Sequence, residues 1–359
     1  MSVVWHIAHK DLRTLMRDRM ALFWVLGFPL VFGVFLAAVL EAGLGGTTAP
    51  LAVEVVAPAG PAAQPLLDAL SKSERLERTS SDEATALERV RRGESVAALI
   101  VRQSDDPARP PLTLEIVVDP AREHDGERIQ AELARALAPS DVDPRRPTIS
   151  VRRLVTGGAA RRASDYVFAP AVMWGLIGCA ACFAISLVAE RSRGTLRRLG
   201  AAPIQRRQIL LGKALACGLA CVAVALLITL VMGLGFSVRF PAPFKLALAV
   251  LCTSLCFSGI TMLLSVLGKT EQSVAGAGWG ALIVLAMIGG GMVPLSLMPV
   301  WLADLGQLSP VRWGIVALEG ALWRDFSYAE LGRSCAVLLA TGALGFAAGS
   351  AFLGRAFRH

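Results

Sequence analysis

Two pairs of cysteines stand one helical turn apart, Cys217/Cys221 and Cys252/Cys256. Thiolates at that spacing can hand a soft metal ion along a helix. The chemistry wants harder partners beside them, and no His, Asp or Glu accompanies them within the apolar runs. All seven cysteines (Cys179, Cys182, Cys217, Cys221, Cys252, Cys256 and Cys335) fall in such runs, where a small apolar packing role suits them. The four histidines, His6, His9, His124 and His359, all lie outside the runs, so no Ser–His pair can be assembled there. The Gly-x4-Gly-Lys-Ser/Thr cradle for nucleotide phosphates does not occur. The residues supply no catalytic site and no metal site, and no cofactor is expected on this chain.

Hydroxyls are the next candidates. Ser254, Ser258, Thr261 and Ser265 recur at i, i+4, i+7 and i+11, hence on one helical face. Such a face can line a polar pathway, or it can bond across helices and back to its own carbonyls. Gly276/Gly280 and Gly345/Gly349 have the spacing of close helix packing, within the chain or between copies.

The densest charge pattern runs from Glu190 to Lys213, with seven Lys/Arg (Arg191, Arg193, Arg197, Arg198, Arg206, Arg207, Lys213) against the single acid Glu190. A short loop that basic between two apolar runs stays on the cytoplasmic side of a membrane. It is also patterned. Gly194 and Thr195 interrupt a helix, Leu196 and Leu199 mark an apolar face, and Pro203 turns the chain back. The pattern predicts a short amphipathic segment offered to a cytoplasmic partner, or a solvated basic loop on anionic lipid.

These residues must be positioned by membrane helices. The 359-residue chain is 54% apolar and 18% charged, with mean hydropathy +0.57, a membrane composition. Six spans are predicted at 21–41, 166–189, 209–236, 246–267, 272–293 and 332–353, each long enough for a bilayer core. The net charge of +8 is held unevenly: residues 42–165 carry 17 Lys/Arg and 19 Asp/Glu, so the surplus lies elsewhere. That surplus flanks span ends, which reads as an orientation signal and lipid-headgroup contact, with no nucleic-acid partner. Lys10, Arg13, Arg17 and Arg19 precede the first span, and Arg355 and Arg358 follow the last, placing both termini in the cytoplasm.

Residues 1–20 predict an interfacial elbow helix with Val4, Ala8, Leu12 and Leu15 on its apolar side, and Pro29 should bend the first span. Residues 42–165 predict an extracytoplasmic α/β domain with one sheet. Strands are expected at 51–56, 96–101, 112–118 and 149–154, and helices at 62–70, 82–92 and 123–137, with Ser80 and Glu83 at capping-box spacing. Residues 190–208 form the coupling loop, spans three to five occupy 209–293, and the last span and tail occupy 332–359. In between, at 294–331, Pro294, Pro299 and Pro310 forbid one continuous helix, and Trp301, Trp313 and Trp323 can anchor half-helices at an interface. The fold class is therefore an α-helical polytopic membrane protein of six transmembrane helices, with an α/β domain between the first and second.

With these features set out, the chain resembles membrane subunits of the type-two ABC permease family, exporters of drugs, lipids and polysaccharides. Glu190-Arg191-Ser192-Arg193-Gly194-Thr195-Leu196 is similar to the family's cytoplasmic E-x-E-x-G-T-L signature, and Ala202-Pro203-Ile204 and Gly212-Lys213 match its continuation. Pro294, Pro299-Val300-Trp301-Leu302, Pro310 and Trp313 resemble the family's broken, partly re-entrant segment before the last span. Asp82-Glu83-Ala84, Gly93-Glu94, Ala97-Ala98-Leu99-Ile100 and Val118-Asp119-Pro120 fit the subset with a large outside domain. Ser192 departs from the pattern, standing where many relatives carry a second Glu.

The resemblance implies an exporter subunit in a bacterial plasma (inner) membrane, working with a second permease subunit, identical or paralogous. Two copies of a separate ATPase would bind the ATP and Mg. It assigns ATPase coupling to Glu190, Arg191, Gly194, Thr195, Leu196, Arg198 and Leu199. It assigns an outer gate to Pro294, Pro299, Trp301, Pro310 and Trp313, and leaves Ser254, Ser258, Thr261 and Ser265 as pathway candidates. The apolar spans suit a hydrophobic or amphipathic cargo such as a drug, a lipid or a glycan-linked lipid. A membrane-anchored sensor with a ligand-binding outside domain would explain that domain, but not six spans.

Overall fold

The computed structural model describes residues 3–41, 51–57, 76–92, 95–103, 112–118, 123–136, 148–153, 163–195, 204–236, 238–293, 295 and 298–356. They belong to two compact units, one comprising Met1–Ala42, Ala163–Pro294 and Asp304–His359, the other Gly43–Arg162 and Leu295–Ala303.

The first unit begins with α1 (Val3–Arg17), and Asp18 then accepts hydrogen bonds from the backbone N–H of Met20 and Ala21 to cap α2 (Arg19–Leu22). A π-turn follows at Phe23–Gly27, continuing into α3 (Phe28–Glu41). The bend expected at Pro29 takes this form. Proline has no N–H to bond four residues back, and the helix widens by one residue just before it, with Phe28 N–H reaching Phe23 O. Gly178 on the neighbouring helix makes the bulge possible, because a Cβ there would lie 2.6 Å from Trp24 O.

The remaining bundle helices are α6 (Ala163–Ser192), α7 (Arg206–Phe236), α8 (Pro243–Leu264), α9 (Glu271–Ile288), α11 (Pro310–Leu322) and α12 (Tyr328–Ala356); the short α10 (Val300–Gly306), which precedes α11 in the chain, has its first four residues in the second unit. Among the described residues, six stretches are long and apolar enough to cross a membrane: Arg19–Val39, Asp165–Ser192, Arg207–Phe236, Pro243–Leu264, Glu271–Ile288 and Tyr328–Leu353. The expected spans are all present, the fifth shorter than predicted because Gly289, Gly290 and Gly291 end its helix at Ile288. The apolar stretch of α6 is 83% buried, against 22% for α9, so α6 is the post around which the others pack.

Glycine spacing sorts into two kinds of helix face. A Cβ on Gly259 of α8 would overlap the carbonyl oxygen of Gly342 on α12, and Cβ atoms on Gly345 and Gly349 would come within 3.1 and 2.3 Å of the α8 backbone. That face is consumed within the chain, as small residues allow in an apolar solvent. Gly276 and Gly280 of α9 have nothing within 4 Å.

The second unit holds a five-stranded sheet of β1 (Leu51–Val56), β2 (Leu76–Ser80), β3 (Ala97–Gln103), β4 (Leu112–Val118) and β5 (Thr148–Arg153) in the order β2-β1-β3-β4-β5. β1 runs parallel to both β2 and β3, β3 pairs antiparallel with β4, and β5 parallel with β4. Among its described residues, the helices α4 (Glu83–Arg92) and α5 (Glu123–Ala136) pack on the sheet. Val53, Val55, Leu99, Leu114 and Ile116 face Ile129 and Leu133 of α5, while Ala98, Ile100 and Val117 face Ala86 and Val90 of α4. Helices on both faces explain why the central strands are apolar on both sides.

Two expectations change here, and one buried charge is new. β2, Leu-Glu-Arg-Thr-Ser, gives no strand signal in sequence because an edge strand can stay charged. The cap of α4 is Asp82, whose carboxylate accepts from Thr85 N–H, and not the Ser80/Glu83 box. Glu54, inside β1, is 2% exposed. Its carboxylate accepts hydrogen bonds from Ser81 Oγ, from Ser95 Oγ at 2.7 Å and from Arg89 Nη1 at 3.1 Å, which together satisfy the buried charge. The helix expected at 62–70 lies outside the described residues.

Candidate functional site at the basic end of the bundle

The site is built on the last turn of α6, which ends at Ser192. Arg193 N–H still reaches Ala189 O, and Gly194 then takes φ +74°, a left-handed conformation that glycine adopts without strain. The break predicted at Gly194-Thr195 is thus a helix C-terminus. Leu196, Arg198, Leu199 and Pro203 lie outside the described residues.

Four charged side chains meet beside this turn. Lys10 Nζ stands 2.5 Å from Glu190 Oε1 and 3.0 Å from Asp11 Oδ1. Lys213 Nζ stands 2.7 Å from Glu190 Oε2 and 3.1 Å from Asp11 Oδ2. The result is a ring of alternating sign drawn from α1, α6 and α7. Lys213 and Asp11 are buried, while Lys10 is half-exposed at the rim. Burial alone would lower the Lys10 pKa, but the hydrogen bond to Glu190 and the nearby Asp11 outweigh it and hold the ammonium above the ordinary lysine value.

Two findings go beyond the sequence. The buried side of α1 passes through Ile7, Ala8 and Asp11, so its inner face includes an acid, three residues on from Ala8 and on the same helical side. Lys213, counted among the loop's basic residues, is 4% exposed and belongs to the bundle interior.

The arginines of the same turn reach the other side of α6. Arg191 donates from Nη1 to Ser265 O at 3.4 Å and from Nη2 to Gly268 O, both just past the C-terminus of α8. Arg193 Nη2 reaches Glu271 Oε1 at 3.1 Å, in the first turn of α9, whose N-cap is Thr270. Glu190, Arg191 and Arg193 therefore tie the end of α6 to α1, α7, α8 and α9. A displacement of the segment after Ser192 would be felt by four helices at once.

Against this geometry, the sequence profile described as ABC-2 family transporter protein matches residues 19–351. The chain belongs to the ABC-2 transporter family. Two relatives, the Escherichia coli K12 and O157:H7 proteins named "Probable multidrug ABC transporter permease YbhR", are each 28% identical to it over 141 residues. Those stretches span 38% of this chain and 37% of the relative.

In this ABC-2 protein the hydroxyl face of α8 is packed, not open. Ser258 Oγ donates to Ala214 O at 2.6 Å, Thr261 Oγ1 to Phe257 O at 3.0 Å, and Ser265 Oγ to Met262 O at 2.7 Å. Ser254 is 1% exposed. Cys217 Sγ lies 3.2 Å from Thr261 Oγ1 in the same seam, and all seven cysteines are free thiols. Ser258, Thr261 and Ser265 are thus engaged in interhelical bonding or back-bonding, while the buried Ser254 Oγ has no hydrogen-bond partner among the described residues.

The segment before the last span is broken, as its prolines require. Pro310 opens α11, and Ser309 caps it by accepting from Val311 N–H while donating to Leu285 O. α11 is buried along its length and packs against α6, α8, α9 and α12. Trp313 Nε1 donates to Gln307 O at 2.8 Å, and Trp301 is exposed. Trp323 is a correction: it is buried, with the Arg324 guanidinium 4.5 Å from its ring and the Tyr166 ring 5.2 Å away, so it cannot be an interfacial anchor. Arg324 is paired in turn with Glu319 at 2.6 Å, a buried pair with no counterpart in the sequence reading. Pro299 precedes α10, and Pro294 lies outside the described residues.

Proposed function

We propose that this chain is the membrane-spanning permease subunit of an ABC exporter. It works beside a second permease copy or a paralogue, with two copies of a separate ATPase that bind ATP and Mg. Family membership and six spans support the reading, and the observation that carries it is the convergence of four helices on the last turn of α6. The ATPase would grip the segment from Thr195 to Leu199, with Leu196 and Leu199 as apolar anchors and Arg198 at the rim. Its clamping stroke would pull on Gly194, and Glu190, Arg191 and Arg193 would spread that pull to α1, α7, α8 and α9. In this mechanism Glu190 acts inside the chain as a positioning residue, and Ser192 in place of a second acid costs little, because the transmitting contacts are intramolecular. The basic end faces the cytoplasm of a bacterial cell, with both termini there, and Pro294, Pro299, Trp301, Pro310 and Trp313 belong to an outer gate. The relatives' description as multidrug permeases, together with largely apolar spans, supports a hydrophobic or amphipathic cargo.

The test is gentle extraction from the native membrane and identification of what co-purifies in stoichiometric amount. A Walker-motif ATPase is expected, lost in Leu196→Asp/Leu199→Asp and retained in Glu190→Gln, the latter uncoupled from transport. An ATPase that stays bound to the double variant, or a Glu190→Gln chain that still couples hydrolysis to export at full efficiency, overturns the mechanism.

A further inference from the structure

A cavity of about 360 Å³ opens at the basic end of the bundle, between the α1–α2 elbow, α6 and α9. Its volume falls in the range of small-molecule sites. Its lining is of two kinds. Asp11, Thr14, Asp18, Arg193 and Glu271 are polar or charged; Met20, Trp24, Phe183 and Trp279 are apolar. Trp24 and Trp279 come from different spans, yet their ring centroids lie 5.2 Å apart. Trp24 sits in the π-turn, a local widening that recurs at functional sites.

The charges decide what fits. Asp11 is matched by Lys10 and Lys213 behind it. Of the rest, Asp18 and Glu271 face a single cation, Arg193, which pairs with Glu271. The wall is left with one negative charge in surplus beside two indole rings. A monovalent organic cation with a flat apolar body satisfies both halves, its charge near Asp18 and Glu271 and its body against the tryptophans. The location, where spans meet the membrane surface, would admit such a molecule sideways.

We propose that this cavity binds amphipathic organic cations. The inference gives the exporter reading a cargo class and rests on that reading for its meaning as transport, but the binding itself requires no ATPase.

The probe is ethidium, a planar aromatic cation, added to the full chain in phosphatidylcholine nanodiscs and followed by its emission. Saturable binding at one site per chain is expected. Asp18→Asn, which keeps the N-cap oxygen while removing the charge, and Glu271→Gln should each weaken it, and Trp279→Leu should weaken it about tenfold, the value of one good cation–π contact. An uncharged phenanthridine of the same shape should bind worse than ethidium. Emission that rises without saturation, variants that bind like the parent, or equal affinity for the neutral analogue overturns the proposal. So does loss of ethidium binding when half the lipid is replaced by phosphatidylethanolamine, which would assign the cavity to a lipid headgroup. ATPase co-purification is independent of all these results, so a failure here is distinguishable from a failure of the exporter reading.

Discussion

Lys213→Met is the sharpest perturbation of the charge ring. Lys213 lies 3.1 Å from Asp11 and 2.7 Å from Glu190. At an effective dielectric of about 20 these distances give gross attractions of about 5 and 6 kcal/mol. Most of that is offset by the cost of taking a lysine that is 4% exposed out of water and by repulsion from Lys10. What truncation leaves behind is more telling: two carboxylates facing one another with one half-exposed lysine between them. Removing one member of a buried ion pair costs about 3–5 kcal/mol, and the surviving Lys10 places this case near the lower end, about 3 kcal/mol. Methionine fills the volume of the lysine stem, so packing loss stays small. The assay is reversible unfolding in mixed SDS micelles, read by tryptophan fluorescence. Asp11→Asn/Lys213→Met, which keeps the Lys10–Glu190 pair, should recover at least half of the loss. A Lys213→Met chain within about 0.5 kcal/mol of the parent, the ordinary range of a surface substitution, would refute the ring as a structural joint, as would a double variant no better than the single.

Two other outcomes follow from the fold. Gly259→Ala should abolish the folded, monodisperse chain, since its Cβ would overlap Gly342 O, whereas Gly276→Ala, with open space around it, should purify like the parent; size-exclusion profiles decide. In the sheet unit, the Asp82 carboxyl is held below its ordinary value, chiefly by the Thr85 hydroxyl and also by the Thr85 N–H. A lowered folded value means that the cap stabilises fully above the unfolded value of 3.8 and fades as pH falls through the folded one. Amide protection of α4, corrected for intrinsic exchange, should drop over that window, and Asp82→Asn should flatten the drop.

The spans and the strands of the sheet core were legible because both are written in local periodicity. Runs of apolar residues specify a bilayer crossing, Ala97–Val101 is apolar on both faces, and Leu114–Val118 is apolar but for Glu115. The site was half legible. The basic signature located the last turn of α6, but nothing in a one-dimensional pattern distinguishes Glu190 reaching outward from Glu190 closing a ring with residues 180 and 23 positions away. Asp11 stands out as an acid on the buried side of α1 and Lys213 as one more basic residue after the loop, and only the mutual neutralisation of the four-membered ring permits their burial. The Glu319–Arg324 pair escaped for a related reason: a proline-rich, tryptophan-rich segment reads as interfacial, yet α11 is inserted among four helices. Hydroxyl spacing on α8 marked one face, but no spacing names Ala214, whose carbonyl Ser258 reaches across to the next helix.

The ring also constrains how the chain is made. Asp11 and Lys213 are separated by 202 residues, so at about 5–20 residues per second the elbow waits roughly 10–40 s for its partner to be synthesised. During that interval Asp11 has Lys10 beside it, 3.0 Å away in the finished structure. The elbow can rest on the membrane surface as a locally neutral pair until the third span arrives. When it does, Lys213 brings a second cation to Asp11 and to Glu190, which Lys10 already bridges in the finished structure. Closing the ring is therefore a late step in insertion, and a ribosome-stalled chain ending before α7 lacks its fourth member.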